Sequence, residues 1–378
     1  MLIRTLLASA LVSLSLVSFA APVSRFNNLS VSIAPADPAT RADRDVAVDV
    51  VFTNTGDTPI SVVKWFMPDG EPEGDLFLLS RNGEAVAYVG PVIKRAAPTA
   101  HDMITLQPGE SLTRTAELSG LYDLSQSGVY TIQYGVASAH VFGQPRSGRL
   151  GNRVSPDLTT QFDADDSAQL TTVFSNEASK FIEGRKDSSS IASILQKTPS
   201  ALETILTQSI SYSGRCSASQ QSAIVSAASA AQTMTNGAVN YLNGTPKASA
   251  RFTTWFGTFS TTNWNEVKGH YVNIKTELDS KPVVYDCSCK KSYYAYVYPT
   301  QPYKIYLCNA FWTAPLTGTD SKGGTIIHES SHFNVNAGTQ DYAYGQTAAK
   351  SLAISNPSQA RFNADSHEYF AENTPALQ

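Results

Sequence analysis

Between Gly323 and Gly345 the chain reads GGTIIHESSHFNVNAGTQDYAYG, and no other stretch restricts the fold as much. A helix turns once in about 3.6 residues, so His328 and His332, four apart, project from one face and can grip one metal ion between their imidazoles. Glu329 lies between them and sets a carboxylate beside that metal, which is the HExxH pattern of zinc hydrolases. The apolar run from Thr325 to Ile327 predicts a buried helix leading into the motif, and Gly338 predicts its stop. A catalytic zinc usually has three protein ligands and one open position, so a carboxylate soon after the helix is what the two histidines lack. Asp341 is the candidate third ligand.

HESSH followed closely by GTQDYAYG resembles the HExxH and GTxDxxYG pair of the deuterolysin-like, or aspzincin, metalloendopeptidases. The longer string HESSHFNVNAGTQDYAYGQTAAKSLA, with CNAFWTAP before it and NADSHEYFAEN after it, is similar more narrowly to the peptidyl-Lys members of that family. The resemblance runs from about Tyr212 to the C-terminus. It implies a secreted zinc endopeptidase that cuts on the amino side of lysine and is made as a precursor. It also implies one Zn2+ held by His328, His332 and Asp341, with Glu329 as the proton shuttle and Tyr344 as the phenol that stabilises the oxyanion. Two histidines and one aspartate leave zinc with a formal charge of about +1, enough to acidify a water and polarise a peptide carbonyl.

Asp365 and Glu368 are three apart on a predicted helix, so both carboxylates face the same way. On most helices such a pair is a wet surface. By the resemblance they are the acidic pair lining the S1′ pocket, where a lysine ammonium would sit. The nearby His367 is expected on the surface or behind the ligands, and His270, in KGHYV, is expected to be structural. His101 and His140 are read as lone structural or surface histidines. The alternatives are a deuterolysin-like endopeptidase without strict lysine preference, and a secreted binding protein with a non-catalytic C-terminal domain.

The first residues, MLIRTLLASALVSLSLVSFAAP, combine one positive charge, an apolar run and small residues, the pattern of a signal peptide (1–20) cleaved after Ala20 or Ala21. Secretion permits disulfides, and all four cysteines, Cys216, Cys287, Cys289 and Cys308, fall in the C-terminal half. Four cysteines allow three pairings, and Cys287 and Cys289 lie too close along an extended chain to pair easily, which leaves two. The resemblance selects Cys216 with Cys287 and Cys289 with Cys308. No later stretch is apolar enough to cross a membrane, and nothing suggests nucleic acid. The expected partners are polypeptide substrates and the chain's own propeptide, with the enzyme a monomer.

From Val46 to about Val136, short β-type runs alternate with turn signals: Val46–Thr53, Ile60–Phe66, Leu76–Ser80, Ala85–Val89, Ser111–Leu118 and Val129–Tyr134. They predict a small sandwich, immunoglobulin-like in outline, as a propeptide domain over 21–137. A Ser-, Asp-, Gln- and Thr-rich stretch over 138–210 reads as a propeptide linker with a short helix near Ile191–Leu195. Its Lys180, Lys186 and Lys197 offer sites for self-cleavage. Charge follows the same division: 1–210 holds 16 basic and 22 acidic residues, net −6, and 211–378 holds 12 and 10, net +2.

The catalytic domain, 211–378, opens with a capping-box pattern at Ser217 and Gln220. An alanine-rich helix follows to about Leu242, with a stripe of Ile224, Ala228, Ala231, Met234, Ala238 and Leu242. Strands are expected at Tyr293–Tyr298 and Lys304–Cys308, and helices at Ala348–Ala353 and from Pro357. Asn243 opens a glycosylation sequon, as does Asn28. The fold class is α+β: an N-terminal all-β sandwich-like prodomain, then a mainly helical zincin-type catalytic domain with a small sheet.

Overall fold

The computed structural model describes residues 24–26, 28–36, 46–124, 126, 128–136, 169–174 and 210–378. The signal peptide, the helix near Ile191, the three linker lysines and His140 lie outside the described residues.

Among its described residues the N-terminal half is mainly β: β1 (Ser24–Phe26), β2 (Leu29–Pro35), β3 (Ala47–Asn54), β4 (Ile60–Val63), β5 (Phe77–Arg81), β6 (Glu84–Ala85), β7 (Val92–Lys94), β8 (Met103–Leu106), β9 (Ser111–Glu117), β10 (Gly128–Tyr134) and β11 (Gln169–Phe174). Two antiparallel sheets, β1-β2-β3-β9 and β11-β10-β5-β6, share one core. The alternation in AVDVVFTN is the local reason: Val48, Val50 and Phe52 turn inward from β3, where they share that core with Leu79, Ile132 and Tyr134 of the other sheet. The expected sandwich is therefore present. It differs from expectation in detail, because the Ile60–Phe66 run breaks after Val63 into a 3-10 turn, Lys64–Phe66. Of the Ala85–Val89 run only its first residue lies in a strand. Strand β11 lies inside the stretch read as linker, paired along β10 from Gly128↔Phe174 to Gln133↔Gln169.

The C-terminal half contains β12 (Ile210–Ser213), α1 (Ala218–Leu242), α2 (Ala250–Phe256), α3 (Thr261–Ser280), β13 (Val283–Asp286), β14 (Ala295–Val297), β15 (Lys304–Leu307), α4 (Asn309–Thr313), α5 (Lys322–His332), α6 (Gln346–Ser355), α7 (Pro357–Ala360) and α8 (Ala364–Glu372). Ser217 and Gln220 cap α1 reciprocally, as their spacing predicts. Its buried stripe includes Ile224, Ala228, Ala231, Ala238 and Leu242, while Met234 is only partly buried and Thr235 is buried instead. Helices α2 and α3 were not legible as separate elements. The disulfides are Cys216–Cys287 and Cys289–Cys308.

One sheet joins the two halves, in the order β12-β13-β15-β14-β7. Strands β12, β13 and β15 are parallel, β14 runs antiparallel to β15, and β7 from the N-terminal half runs antiparallel to β14. Helix α5 packs between this sheet and α1. Gly323 permits that approach, since a Cβ there would lie 2.5 Å from Met234 Cε and 3.2 Å from the Ala231 backbone nitrogen.

Candidate active site

Helix α5 is buried from Gly323 to His332. Its first turn is capped by Ser321, whose Oγ accepts from Gly324 N at 2.9 Å, and Glu372 Oε1 accepts from both Ser321 N and Ser321 Oγ. The helix ends at His332, six residues before the glycine expected to stop it. From Phe333 the chain turns back: Gly338, at φ +59°, donates its N–H to the Phe333 carbonyl, and Thr339 N donates to the Ser331 carbonyl. A Ser331–Thr339 hydroxyl contact at 2.6 Å closes the loop. Gln340 then bridges to the residues opening α8, with Gln340 N donating to Phe362 O and Ala364 N to Gln340 O. These local bonds fix Asp341 under the helix.

His328 Nε2 and His332 Nε2 lie 3.1 and 3.5 Å from Asp341 Oδ1. Tetrahedral ligands at about 2.0 Å from zinc stand about 3.3 Å apart, so each histidine nitrogen stands from Asp341 as a zinc site requires, and the three ligand atoms all lie within 4.8 Å of one another. Both Nε2 atoms and both Asp341 oxygens are buried without a hydrogen-bond partner, the state expected of atoms that a cation would satisfy. His332 Nδ1 lies 2.8 Å from the Thr339 carbonyl, which fixes the tautomer that leaves Nε2 free. His328 Nδ1 faces Asp365 Oδ1 at 2.9 Å and Glu368 Oε2 at 3.3 Å.

Both Glu329 oxygens are buried and unpartnered beside this cluster, and burial pushes the carboxyl well up. Burial also raises the Tyr344 phenol, reinforced by Asp341, and keeps it a hydrogen donor.

A second cluster of carboxylates adjoins the first, and a lysine fills it. Lys94, at the end of β7, is completely buried, with Nζ bonded to Glu368 Oε2. Asp365 Oδ1 is 3.6 Å and Asp320 Oδ1 3.7 Å from the same ammonium. Burial opposes the lysine's charge, but the three carboxylates outweigh it and hold its pKa well above the ordinary value. Burial likewise raises both pocket carboxyls; for Asp365 the ammonium and His328 prevail and hold it low, whereas Glu368 stays raised. The residue before the lysine is engaged too, since Tyr344 Oη donates to the Ile93 carbonyl at 2.9 Å.

The structure thus brings together His328, Glu329, His332, Asp341, Tyr344, Asp365 and Glu368. Of the two places expected for His367 it excludes the surface, since the residue is buried: its Nε2 is 3.0 Å from His270 Nδ1 and its Nδ1 is 3.0 Å from the Asn363 carbonyl. Burial lowers the His270 pKa to about 4 and that of His367 to about 3, so both are neutral core residues. Lys94 and Asp320 were missed. A signal for Lys94 existed in GPVIKR, a short β-branched run ending in lysine within a chain expected to recognise lysine.

The sequence profile of the aspzincin family, described as lysine-specific metallo-endopeptidase, matches residues 241–372. An extracellular protease of Aeromonas hydrophila is 43% identical over 88% of this chain and 89% of its own length. The chain belongs to the aspzincin metalloendopeptidases. A peptidyl-Lys metalloendopeptidase of Grifola frondosa is 35% identical over 97% of this chain and 98% of its own. A solved zinc peptidase from the same fungus is 50% identical and covers 43% of this aspzincin and 100% of that chain, at a TM-score of 0.42. The protein is therefore a zinc-dependent metalloendopeptidase. No helix among the described residues is long and apolar enough to cross a membrane.

Proposed function

We propose that this aspzincin is a secreted endopeptidase that cuts on the amino side of lysine, made as a precursor whose N-terminal β module fills its own cleft. The observation that carries this reading is Lys94. Its ammonium sits among carboxylates, and the carbonyl immediately before it receives the Tyr344 hydroxyl. Ile93 and Lys94 therefore stand where the P1 and P1′ residues of a substrate would, on a strand paired antiparallel to β14, the outermost strand that the C-terminal half contributes to the sheet.

His328, His332 and Asp341 would hold the zinc, which when bound supplies a Lewis acid for the carbonyl and lowers the pKa of a water. Glu329 takes the proton of the attacking water and returns it to the departing lysine nitrogen. Tyr344 donates to the carbonyl oxygen as negative charge develops there, a contribution worth about 3 kcal/mol in the transition state. Asp365 and Glu368 draw the P1′ ammonium into place, and through His328 they also steady the metal ligand.

The module is held by more than the plug. Arg95 pairs with Glu73 at 2.7 Å, and Glu73 also meets Lys291 of the catalytic half at 3.1 Å. While β7 occupies the edge of β14, a substrate strand cannot.

Mass spectrometry of a digested protein mixture tests the reading. New N-termini beginning overwhelmingly with lysine are expected; cuts without lysine enrichment leave a general endopeptidase, and no cuts leave a binding protein. Sequencing the N-terminus of the exported protein tests whether the β module is removed, which retention of that module in the active form would refute.

A further inference from the structure

We propose that Asp320 is the third wall of the lysine pocket and sets its preference for an ammonium over a guanidinium. This rests on the lysine-specific reading above and names a determinant of that same site.

An ammonium carries three N–H donors arranged as a tripod, whereas a guanidinium is a flat fork of five. Around Lys94 Nζ the protein places three separate carboxylates: Glu368 in direct contact, Asp365 Oδ1 at 3.6 Å and Asp320 Oδ1 at 3.7 Å. Two come from α8 and approach from one side. Asp320 comes from the loop before α5, so the charge is met from two elements rather than one face.

The loop is built to hold Asp320 there. Its backbone is left-handed, at φ +53°, a conformation that aspartate tolerates better than most residues. Tyr369 Oη donates to Asp320 Oδ1 at 2.7 Å and lies 3.2 Å from Asp365 Oδ2, tying the loop carboxylate to the helix pair. The next residue, Ser321, is fixed by Glu372. Backbone bonds from Lys322 N to Pro315 O and from Gly323 N to Leu316 O close the loop behind it.

The three carboxylates differ in what else they touch. Asp365 and Glu368 also face His328 Nδ1, so they serve the metal ligand as well as the substrate. Asp320 contacts the ammonium and Tyr369. It therefore acts on binding without acting on the zinc, and its removal weakens ground state and transition state alike.

The first test uses the full chain made inactive by Glu329→Gln, so that it cannot cut itself. Melting temperatures are compared for Asp320→Asn with Lys94 present and with Lys94→Met. A drop of a few degrees beside Lys94, and less than half of it beside Lys94→Met, is expected. Equal drops in the two backgrounds overturn the proposal. The second test uses active enzyme produced from the full chain, on peptides that differ only at P1′. Asp320→Asn is expected to raise KM for lysine about ten-fold, to leave kcat within about two-fold and zinc content unchanged, and to lower the lysine-to-arginine ratio. An unchanged ratio overturns the proposal. Loss of lysine preference in the unmutated enzyme removes the functional reading instead, while the melting comparison still decides whether Asp320 meets the ammonium.

Discussion

The metal cradle and the lysine pocket are neighbours, yet they are assembled in opposite ways. The cradle comes from one stretch of chain, His328 to Asp341, folded back by short-range bonds such as Ser331 with Thr339, with Gln340 tied across to Phe362 and Ala364. The pocket takes Asp320 from a loop and Asp365 and Glu368 from α8, and its occupant from a strand 274 residues before Glu368. The cradle's ligands are thus neighbours in sequence, whereas the pocket exists only when distant segments meet. His328 Nδ1 is the seam between them, because the same two carboxylates that face the ammonium also face this ligand.

The sharpest test of that contrast is Glu329→Gln, which leaves both clusters in place and removes only the proposed proton acceptor. A loss of about 10³-fold in kcat is expected, with zinc content and lysine selectivity retained in whatever activity remains. Substantial activity would sink the assigned role. Tyr344→Phe comes next, with kcat about 10²-fold lower and KM little changed, since in the proposed mechanism the phenol donates to charge that develops in the reaction. A change confined to KM would mean that Tyr344 only positions the strand.

The seam itself is probed by Asp365→Asn. If the pocket and cradle share this residue, lysine binding and zinc affinity fall together, zinc by about ten-fold in a competition with a chelator. Unchanged zinc affinity would show the two regions to be independent.

The effect expected to be smallest on activity concerns a carboxyl behind the cradle, and it is read in stability instead. Burial raises Glu277 to about 8, partly offset by bonds from Ser330 and Asn336. Its folded pKa exceeds its unfolded value near 4.5, so the folded protein binds the extra proton. The associated stability is fully present below pH 4.5 and is lost as pH rises through about 8. The slope approaches about 1.4 kcal/mol per pH unit within that window. Glu277→Gln should flatten this part of the stability–pH curve, measured by denaturant unfolding, and an unaltered slope would assign it elsewhere.

Legibility in the sequence followed the range of the interactions. The β3 alternation, the α1 cap and stripe, and the i, i+4 histidines are local periodicities, and each appears where its spacing predicts. The resemblance supplied Asp341, Tyr344 and the α8 pair, together with disulfides that the fold contains. Gly338 misled because the chain leaves the helix at Phe333, whose carbonyl accepts from Asn336, Ala337 and Gly338 N–H, so the glycine closes the return loop instead of ending the helix. The surface alternative for His367 failed because its neighbours in sequence are charged, whereas its ring packs into a core shared with His270 and Phe256.

By itself the sequence determined that two histidines would share a helix face with a carboxylate between them, because that follows from the pitch of a helix. Only the tertiary structure decided that β7 completes the sheet beside β14 and delivers Lys94 to Asp320, Asp365 and Glu368. Strand pairing across some 200 residues leaves no periodic trace in the chain, and a lysine looks the same in sequence whether it is solvated or buried against three carboxylates.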